Sequence, residues 1–511
     1  VQGNLTLISS HANTITDEGD SGVVTVDGNL TATTDANNGS VTLNDLAVDG
    51  TIGLNTHGTG NATVVNDTGL QFGASTVGGS LHATSTTGNI TQSGALDIEG
   101  TTTLITSADD ATINLGTSSN AFTGALLITT NDGGTDTAGD VSIHGGTTAL
   151  VIGASTIDGD LTLTSTATGN NPITDTGTLN IRGTTTVSAS GVNVALNSVA
   201  NNFQGAVAIA AVNVTMADAN DIDLAASNVT GNYSLTAGGA VTDSGALVIT
   251  GVTTVNASSG DVTLNSAANN FQGAVSINGV NVTMVDTGAI DLGASTITGT
   301  YAVTAAGAIT DSGTQEITGV TTLAAGSGND ITLNTSTNNF AAAVLITSGR
   351  NVAITDEDTI DLGAATVSGA YTLTAGGAVT DSGALAITGV TTIAAGSGND
   401  ITLDHTSNNF QAAVIITSGN NVTLVDAGAI DLGASTVSGT YAVTATSGGD
   451  ISDSGVLAIT GGATFKVAGG RSIILDQSST FSSTVTFTPL SGAIGSVTIN
   501  DSTAFDLKAL T

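Results

Sequence analysis

Internal repetition constrains this chain of 511 residues more than any other feature of its sequence. A phrase of the type Ile-Thr-Asp occurs seven times, a second phrase ends in Asn-Phe, and a third reads Leu-Gly-Ala-Ser-Thr in its best copies. Cutting the chain after the third phrase predicts seven repeats of roughly 70 residues each. The predicted repeats are 1–76, 77–156, 157–228, 229–296, 297–366, 367–436 and 437–511.

Each repeat divides again into three segments, which are clearest at 385–403, 408–424 and 429–445. Within them apolar and polar residues alternate over short runs, a pattern typical of strands with one buried face. Gly, Asn, Asp and Ser separate the runs, and these residues tolerate the positive φ that corners need. A segment of about 23 residues is too short for a domain, but stacked segments share one apolar core.

The pattern therefore predicts an all-β chain, a single continuous parallel β-solenoid over residues 1–511. Three segments in each of seven repeats correspond to about 21 coils. Crossovers between parallel strands favour a right-handed β-helix. A β-propeller is the competing repeat architecture, but the chain lacks Trp and its short segments cannot supply a four-stranded blade.

The composition of the chain excludes several functional classes. With 42 acidic and 5 basic residues, the net charge of −37 argues against a nucleic-acid partner. No run of 18 apolar residues occurs, which argues against membrane insertion as a helix. The absence of Cys excludes disulfides and Cys-ligated metals. Polysaccharide-cleaving β-helices combine clustered carboxylates with Arg or Lys on long loops, whereas here the loops are short and uniform, Trp is absent, and Arg182 and Arg350 are isolated. We therefore predict no catalytic residues and no enzyme.

Clustered acids make calcium the one cofactor that the sequence suggests. The densest cluster is Asp356, Glu357, Asp358 and Asp361. Hard oxygen ligands suit Ca²⁺, so these four residues are the candidate metal ligands. The alternative, which the sequence favours, is that the acids keep a fibre soluble and prevent lateral association.

The two ends of the chain resemble two halves of one coil. Residues 504–511 align with 429–436, and residues 1–7 align with 437–443. A coil without a neighbour exposes strand edges and apolar side chains. We therefore expect the partners to be copies of this chain end to end, or adjoining repeats of a longer chain. The candidate axial contacts are Val1, Leu5, Leu7, Phe505, Leu507 and Leu510.

Two stretches carry a family resemblance, DSGALAITGVTTIAAGSGNDITL at 381–403 and NNVTLVDAGAIDLGAS at 420–435. They resemble the repeats of filamentous-haemagglutinin-like exoproteins and of the β-strand-repeat surface proteins of bacteria. The resemblance implies a secreted, right-handed parallel β-helix located outside the cell or on the bacterial cell surface. With the matched ends, it favours a structural fibre, sheath or surface-layer protein. The alternative is the stalk of an adhesin whose binding site lies outside this segment.

Overall fold

The structure is a computed structural model that describes residues 1–10, 13–17, 22–35, 37–131, 133, 138–169 and 172–510, without the side chains of 508–510. They form two compact units, Val1–Gly260 and Asp261–Thr511. Each unit is a parallel β-solenoid, which confirms the predicted all-β fold. The described ranges contain no helix, and hence none long and apolar enough to cross a membrane.

The first unit contains strands β1 to β33. In chain order they are Leu5–Ser9, Ile15–Thr16, Val24–Val26, Leu30–Thr34, Val41–Val48, Thr51–Asn55, Ala62–Asn66, Leu70–Phe72, Ser75–Val77, Leu81–Ser85, Ile90–Gln92, Leu96–Ile98, Thr102–Thr106, Ile113–Leu115, Ala121–Phe122, Leu126–Thr129, Val141–His144, Leu150–Ile152, Ser155–Ile157, Leu161–Thr164, Ile173–Asp175, Leu179–Ile181, Thr185–Ala189, Val194–Leu196, Asn202–Phe203, Val207–Ala211, Val214–Asp218, Ile222–Leu224, Ser227–Val229, Tyr233–Ala237, Val241–Asp243, Leu247–Ile249 and Thr253–Asn256. Strands of consecutive turns pair in parallel, as Leu81 does with both Ala62 and Thr102.

The second unit contains strands β34 to β66. In chain order they are Val262–Leu264, Asn270–Phe271, Val275–Gly279, Val282–Asp286, Ile290–Leu292, Ser295–Ile297, Tyr301–Ala305, Ile309–Asp311, Gln315–Ile317, Thr321–Ala324, Ile331–Leu333, Asn339–Phe340, Val344–Gly349, Val352–Asp356, Ile360–Val367, Tyr371–Ala375, Val379–Asp381, Leu385–Ile387, Thr391–Ala394, Ile401–Leu403, Asn409–Phe410, Val414–Ser418, Val422–Asp426, Ile430–Leu432, Ser435–Val437, Tyr441–Ala445, Ile451–Asp453, Leu457–Ile459, Ala463–Val467, Ser472–Phe481, Val485–Pro489, Ser496–Asp501 and Leu507–Leu510. Its pairings are parallel as well.

Most turns of the second unit have two sides of different shape. One side is a straight strand, such as β40 (Tyr301–Ala305), and the other is a bent pair, such as β41 (Ile309–Asp311) with β42 (Gln315–Ile317). Tyr301 pairs with Val282 and with Thr321, which lie 19 and 20 residues away in the chain. A turn here is therefore shorter than the predicted segment of about 23 residues.

The repeat of the second unit contains one more straight strand than the sequence suggested. After two alternations of straight strand and bent pair, β46 (Val344–Gly349) and β47 (Val352–Asp356) follow each other directly. β46 then pairs with the bent strand β48 (Ile360–Val367), and β47 pairs with the straight strand β49 (Tyr371–Ala375). Each repeat holds the three predicted coils, one for each bent pair, and the additional strand adds half a turn.

This half-turn moves corresponding residues of successive repeats to opposite sheets. Tyr301 and Tyr441 belong to one sheet of the second unit, whereas Tyr371 belongs to the other. Phe340 and Phe410 alternate in the same way. The units together contain about 23 turns, compared with the predicted 21, because the additional strands lengthen the winding.

The core follows from the alternation along each strand. In β40 the side chains of Tyr301 and Val303 are buried, whereas those of Ala302 and Thr304 face outward. Burial of a side chain as large as Val contributes about 1.5–3 kcal/mol relative to leaving it in water. Since one turn cannot cover its own inward side chains, the stacked turns stabilise each other.

Candidate functional site

A buried aspartate lies at the end of the additional straight strand. Asp356 is only 2% exposed, and its Oδ2 accepts a hydrogen bond from the main-chain N–H of Phe340 at 2.7 Å. Its Oδ1 accepts the N–H of Asp358 at 2.9 Å. Phe340 ends a bent pair whose first strand, β44 (Ile331–Leu333), pairs with the straight strand β47 of the next turn. The carboxylate therefore accepts main-chain N–H groups at the place where a straight strand stacks on the bent pair of the preceding turn.

The same arrangement recurs in three other repeats. The corresponding aspartates accept the N–H of the preceding Phe at 2.7 Å and a second N–H two residues further on. They are Asp218, Asp286 and Asp426. Burial raises the pKa of all four carboxyls above the ordinary value, and the main-chain hydrogen bonds partly offset this increase.

A second polar contact joins the Ile-Thr-Asp phrase to the Asn-Phe phrase of the next turn. Asn408 is fully buried, and its Nδ2 donates to Oδ2 of Asp381 at 2.6 Å. Its Oδ1 accepts the N–H of Leu385 at 2.9 Å. Asp381 also accepts the N–H of Asp404 at 2.8 Å. The pair thus satisfies the main-chain groups of two consecutive corners.

This Asp–Asn contact is present in both units. Asn338 donates to Asp311, and Asn201 donates to Asp175, at 2.7 Å in each case. Sequence analysis found both phrases but did not predict that they touch. The sequence signal that could have predicted the contact is the constant separation of the Asp and the Asn, which is 26 or 27 residues in these three pairs.

The candidate calcium ligands do not converge. Asp356 uses both oxygens on main-chain amides, and Glu357 and Asp358 are exposed. Asp361 is half-buried beside Thr380, and its Oδ1 accepts no hydrogen bond. Within the described ranges, no group of three or more His, Cys, Asp or Glu side chains is placed to hold a metal ion.

The candidate axial residues have unequal exposure. Leu5 and Leu7 are half-buried, although Leu30 and Ala32, their partners in the next turn, are fully buried. Elsewhere among these candidates, Val1, Phe505 and Leu507 are exposed. Leu510 lies in β66, but its side chain and the whole of Thr511 fall outside the described residues.

An outer concavity of about 350 Å³ lies on the first unit. Its walls are formed by Ala, Val, Ile, Ser, Thr and Asn side chains from 186–188, 208–210, 226–228, 246 and 248. None of these lining residues carries a titratable group. The concavity offers dispersion contacts and a few hydrogen bonds, but no group for proton transfer.

These features define a repeat β-solenoid in which recurring polar side chains connect consecutive turns. The chain belongs to the family described as "Repeats of unknown function (DUF5649)", whose model matches 59–129, 138–210, 211–278, 279–347, 349–417 and 419–488. The matched segments have the predicted repeat length but begin at a different point of the cycle. No curated protein and no solved structure matches the chain.

Proposed function

We propose that this chain is a structural component of an extracellular bacterial fibre, sheath or surface layer. The observation that carries the proposal is the use of the recurring polar residues. Asp356 and its equivalents, and pairs such as Asp381 with Asn408, form hydrogen bonds within the solenoid. A repeat that served to bind a ligand would instead present its recurring polar groups to solvent. The recurring polar residues here stabilise the stacking of one turn on the next.

The surface chemistry is compatible with such a role. The net charge of −37 opposes lateral association of neighbouring molecules, and exposed acids such as Glu357 and Asp358 contribute to it. The resemblance of 381–403 to repeats of bacterial exoproteins supports a location outside the cell or on its surface. Neither argument requires a cofactor or a catalytic group.

The proposed partner is another copy of the chain, or adjoining repeats of a longer chain, stacked on the end turns. Leu5 and Leu7 have the inward positions of β1 but remain half-exposed. A further turn would cover them as β6 covers the inward residues of β4. This contact would extend a parallel ladder rather than create a new type of interface.

Negative-stain electron microscopy of the 511-residue chain tests the proposal. We expect long fibres, and we expect the double variant Leu5→Asp/Leu7→Asp to abolish them because it places charges at the stacking face. The matched control is Thr6→Asp, since Thr6 is the outward residue between these leucines. Separate short particles from the unaltered chain would contradict self-assembly and favour the adhesin-stalk alternative.

A further inference from the structure

The strand β65 (Ser496–Asp501), near the end of the second unit, has an inward side that is incompletely covered. It pairs with β63 of the preceding turn, but its inward residues Val497 and Ile499 are half-exposed. Val422, which corresponds to Val497 in the preceding repeat, is only 1% exposed. It is buried because β59 (Tyr441–Ala445) pairs with its strand in the following turn. The inward side of β65 therefore has room for one further strand.

The seventh repeat ends with the same half-turn as the preceding repeat. Asp501 accepts the N–H of Phe481 and a second N–H two residues further on, as Asp426 does one repeat earlier. Leu507 then pairs with Val485, as the corresponding residues do in the preceding repeat. There, the strand that follows the half-turn is β59, and it pairs with the straight strand β56. The next strand of the solenoid therefore belongs on β65.

The strand β1 has the complementary inward side. Leu5 and Leu7 are half-exposed, although β4 pairs with their strand in the following turn. The alignment of the two ends of the chain places Leu5 at the position of Tyr441. Tyr441 pairs with Val422, the residue that corresponds to Val497. The chain thus contains both a strand of the type that β65 would receive and the register in which that strand would pair.

Charge does not oppose a contact between these two strands. β1 reads Leu-Thr-Leu-Ile-Ser and has no ionisable side chain. β65 has one carboxylate, Asp501, and its Oδ1 already accepts main-chain N–H groups. In a chain with a net charge of −37, such strands allow two copies to approach with little local repulsion. These properties favour a second copy of the chain as the occupant.

We propose that β1 of one copy pairs in parallel with β65 of a second copy. The paired residues are Leu5 with Val497, Thr6 with Thr498, and Leu7 with Ile499. The pairing rests on the proposed function, because it specifies the joint through which the chain forms a fibre. In the same joint Phe505 lies opposite Ile15, as Ile430 lies opposite Ile451 within the chain. The joint buries apolar side chains from both copies, and this burial stabilises it.

Disulfide trapping between two singly substituted full-length chains tests the register, because the chain contains no cysteine of its own. Thr6 and Thr498 are exposed outward residues, so Thr6→Cys and Thr498→Cys leave the inward sides unchanged. The control replaces Thr498→Cys by Asp506→Cys, since the exposed Asp506 would face Thr16 in this joint. After oxidation we expect about tenfold more heterodimer from the first mixture, because a disulfide spans neighbouring strands but not more distant ones. Mass spectrometry of the cross-linked peptides should join positions 6 and 498.

A second measurement needs no thiols. We expect the double variant Val497→Asp/Ile499→Asp to lose the fibres seen by electron microscopy, because it places charges on the inward side of β65. Thr498→Asp, which changes the outward residue between them, should keep the fibres. Circular dichroism spectra equal to that of the unaltered chain show that both variants are folded.

The outcomes separate this pairing from the proposed function. An equal or larger yield of heterodimer from the Asp506→Cys mixture would overturn the register, as would fibres from folded Val497→Asp/Ile499→Asp. If the unaltered chain still forms fibres in those cases, the proposed function stands and only the pairing of β1 with β65 is wrong. Absence of both the fibres and the cross-link between positions 6 and 498 would contradict the two proposals together.

Discussion

At the scale of single residues, buried polar groups divide into satisfied and unsatisfied ones. Asp356 and Asn408 satisfy main-chain amides that no neighbouring strand covers. By contrast, the hydroxyls of Tyr301 and Thr321 and Oε1 of Gln315 are buried without a hydrogen-bond partner. The first group should be hard to replace, whereas the second should tolerate apolar substitutes.

Replacement of Asp356 by Asn should lower the free energy of unfolding by about 1–3 kcal/mol, because the amide can accept only one of the two main-chain N–H groups. The matched control is Asp358→Asn, two residues away on the exposed surface, with an expected change within about 0.5 kcal/mol. Urea unfolding followed by circular dichroism measures both. Equal effects of the two substitutions would contradict the assigned role of Asp356.

Gln315 occupies a core position where the next repeat has Leu385, as their pairings with Ser295 and Ala365 show. Its Oε1 is buried without a partner, although Nε2 donates to three carbonyl oxygens. We expect Gln315→Leu to raise the free energy of unfolding by roughly 1 kcal/mol, because it removes this unsatisfied oxygen. The reverse change, Leu385→Gln, should lower it in the same urea assay. A loss of stability from Gln315→Leu would contradict this interpretation.

At the scale of elements, the bent pairs depend on glycine for a reason that differs from the expected positive φ. Gly383 lies at the corner after Asp381, and a Cβ there would be 2.2 Å from the main-chain nitrogen of Ala364 in the preceding turn. Gly313 and Gly455 show the same close approach to Ala294 and Ala434. Stacked corners therefore exclude a side chain, and this accounts for the recurrent Asp-Ser-Gly.

Gly383→Ala should destabilise the second unit by about 1–3 kcal/mol, because backbone must move to make room for the methyl group. Gly398→Ala is the control, since no atom lies within 4 Å of a Cβ at that corner. We expect the control to be neutral within about 0.5 kcal/mol. Thermal unfolding of both variants provides the comparison, and a neutral Gly383→Ala would show that the corners are not closely stacked.

At the scale of the whole molecule, the half-turn per repeat determines which face a recurring residue occupies. Distances between spin labels can test this, because the chain contains no cysteine of its own. Within the second unit, Ala302 and Ala442 should lie on the same face, seven turns or about 34 Å apart. Ala302 and Thr372 should lie on opposite faces, half that number of turns apart. Their labels should therefore be farther apart than the ~17 Å that separates these turns along the solenoid axis. A single distance near that rise would place both on one face and contradict the half-turn.

The dependence of stability on pH is also a property of the whole chain. Burial raises the pKa of Asp286, Asp356, Asp381, Asp426 and Asp453 above the ordinary 3.8. The folded state then binds protons more tightly than the unfolded chain, so stability increases as pH falls through the folded-state pKa values toward 3.8. Loss of part of the −37 charge acts in the same direction.

We therefore expect the midpoint of thermal unfolding to rise as the pH is lowered from 7 toward the ordinary carboxyl value of 3.8. Asp330 acts in the opposite direction only at lower pH, because Arg350 lowers its pKa to about 2. Circular dichroism at constant ionic strength provides the measurement. A steady fall of the midpoint over the same interval would mean that the buried carboxyls are better stabilised as anions than their burial suggests.

The sequence by itself determined the repeat length, the parallel solenoid and the buried side of most strands. These properties depend on local alternation and on recurrence, which can be read along the chain. Repeat boundaries such as 297–366 and the axial role of Leu5 remain predictions. The acidic cluster at 356–361 was visible too. Its role was not, because the sequence does not show which hydrogen-bond donors a carboxylate meets in the folded chain.

Only the tertiary structure decided the half-turn and the partners of the recurring polar residues. Both depend on which strands lie next to each other after the chain has wound once around, some 19 to 27 residues further on. One additional straight strand between Val344 and Asp356 moves the corresponding residues of the next repeat to the opposite sheet. The alternation of buried and exposed residues along each strand stays the same. The stacking of turns also gave Asp356 its two amide donors and left Asp453 with an unsatisfied oxygen, because those contacts are made between turns.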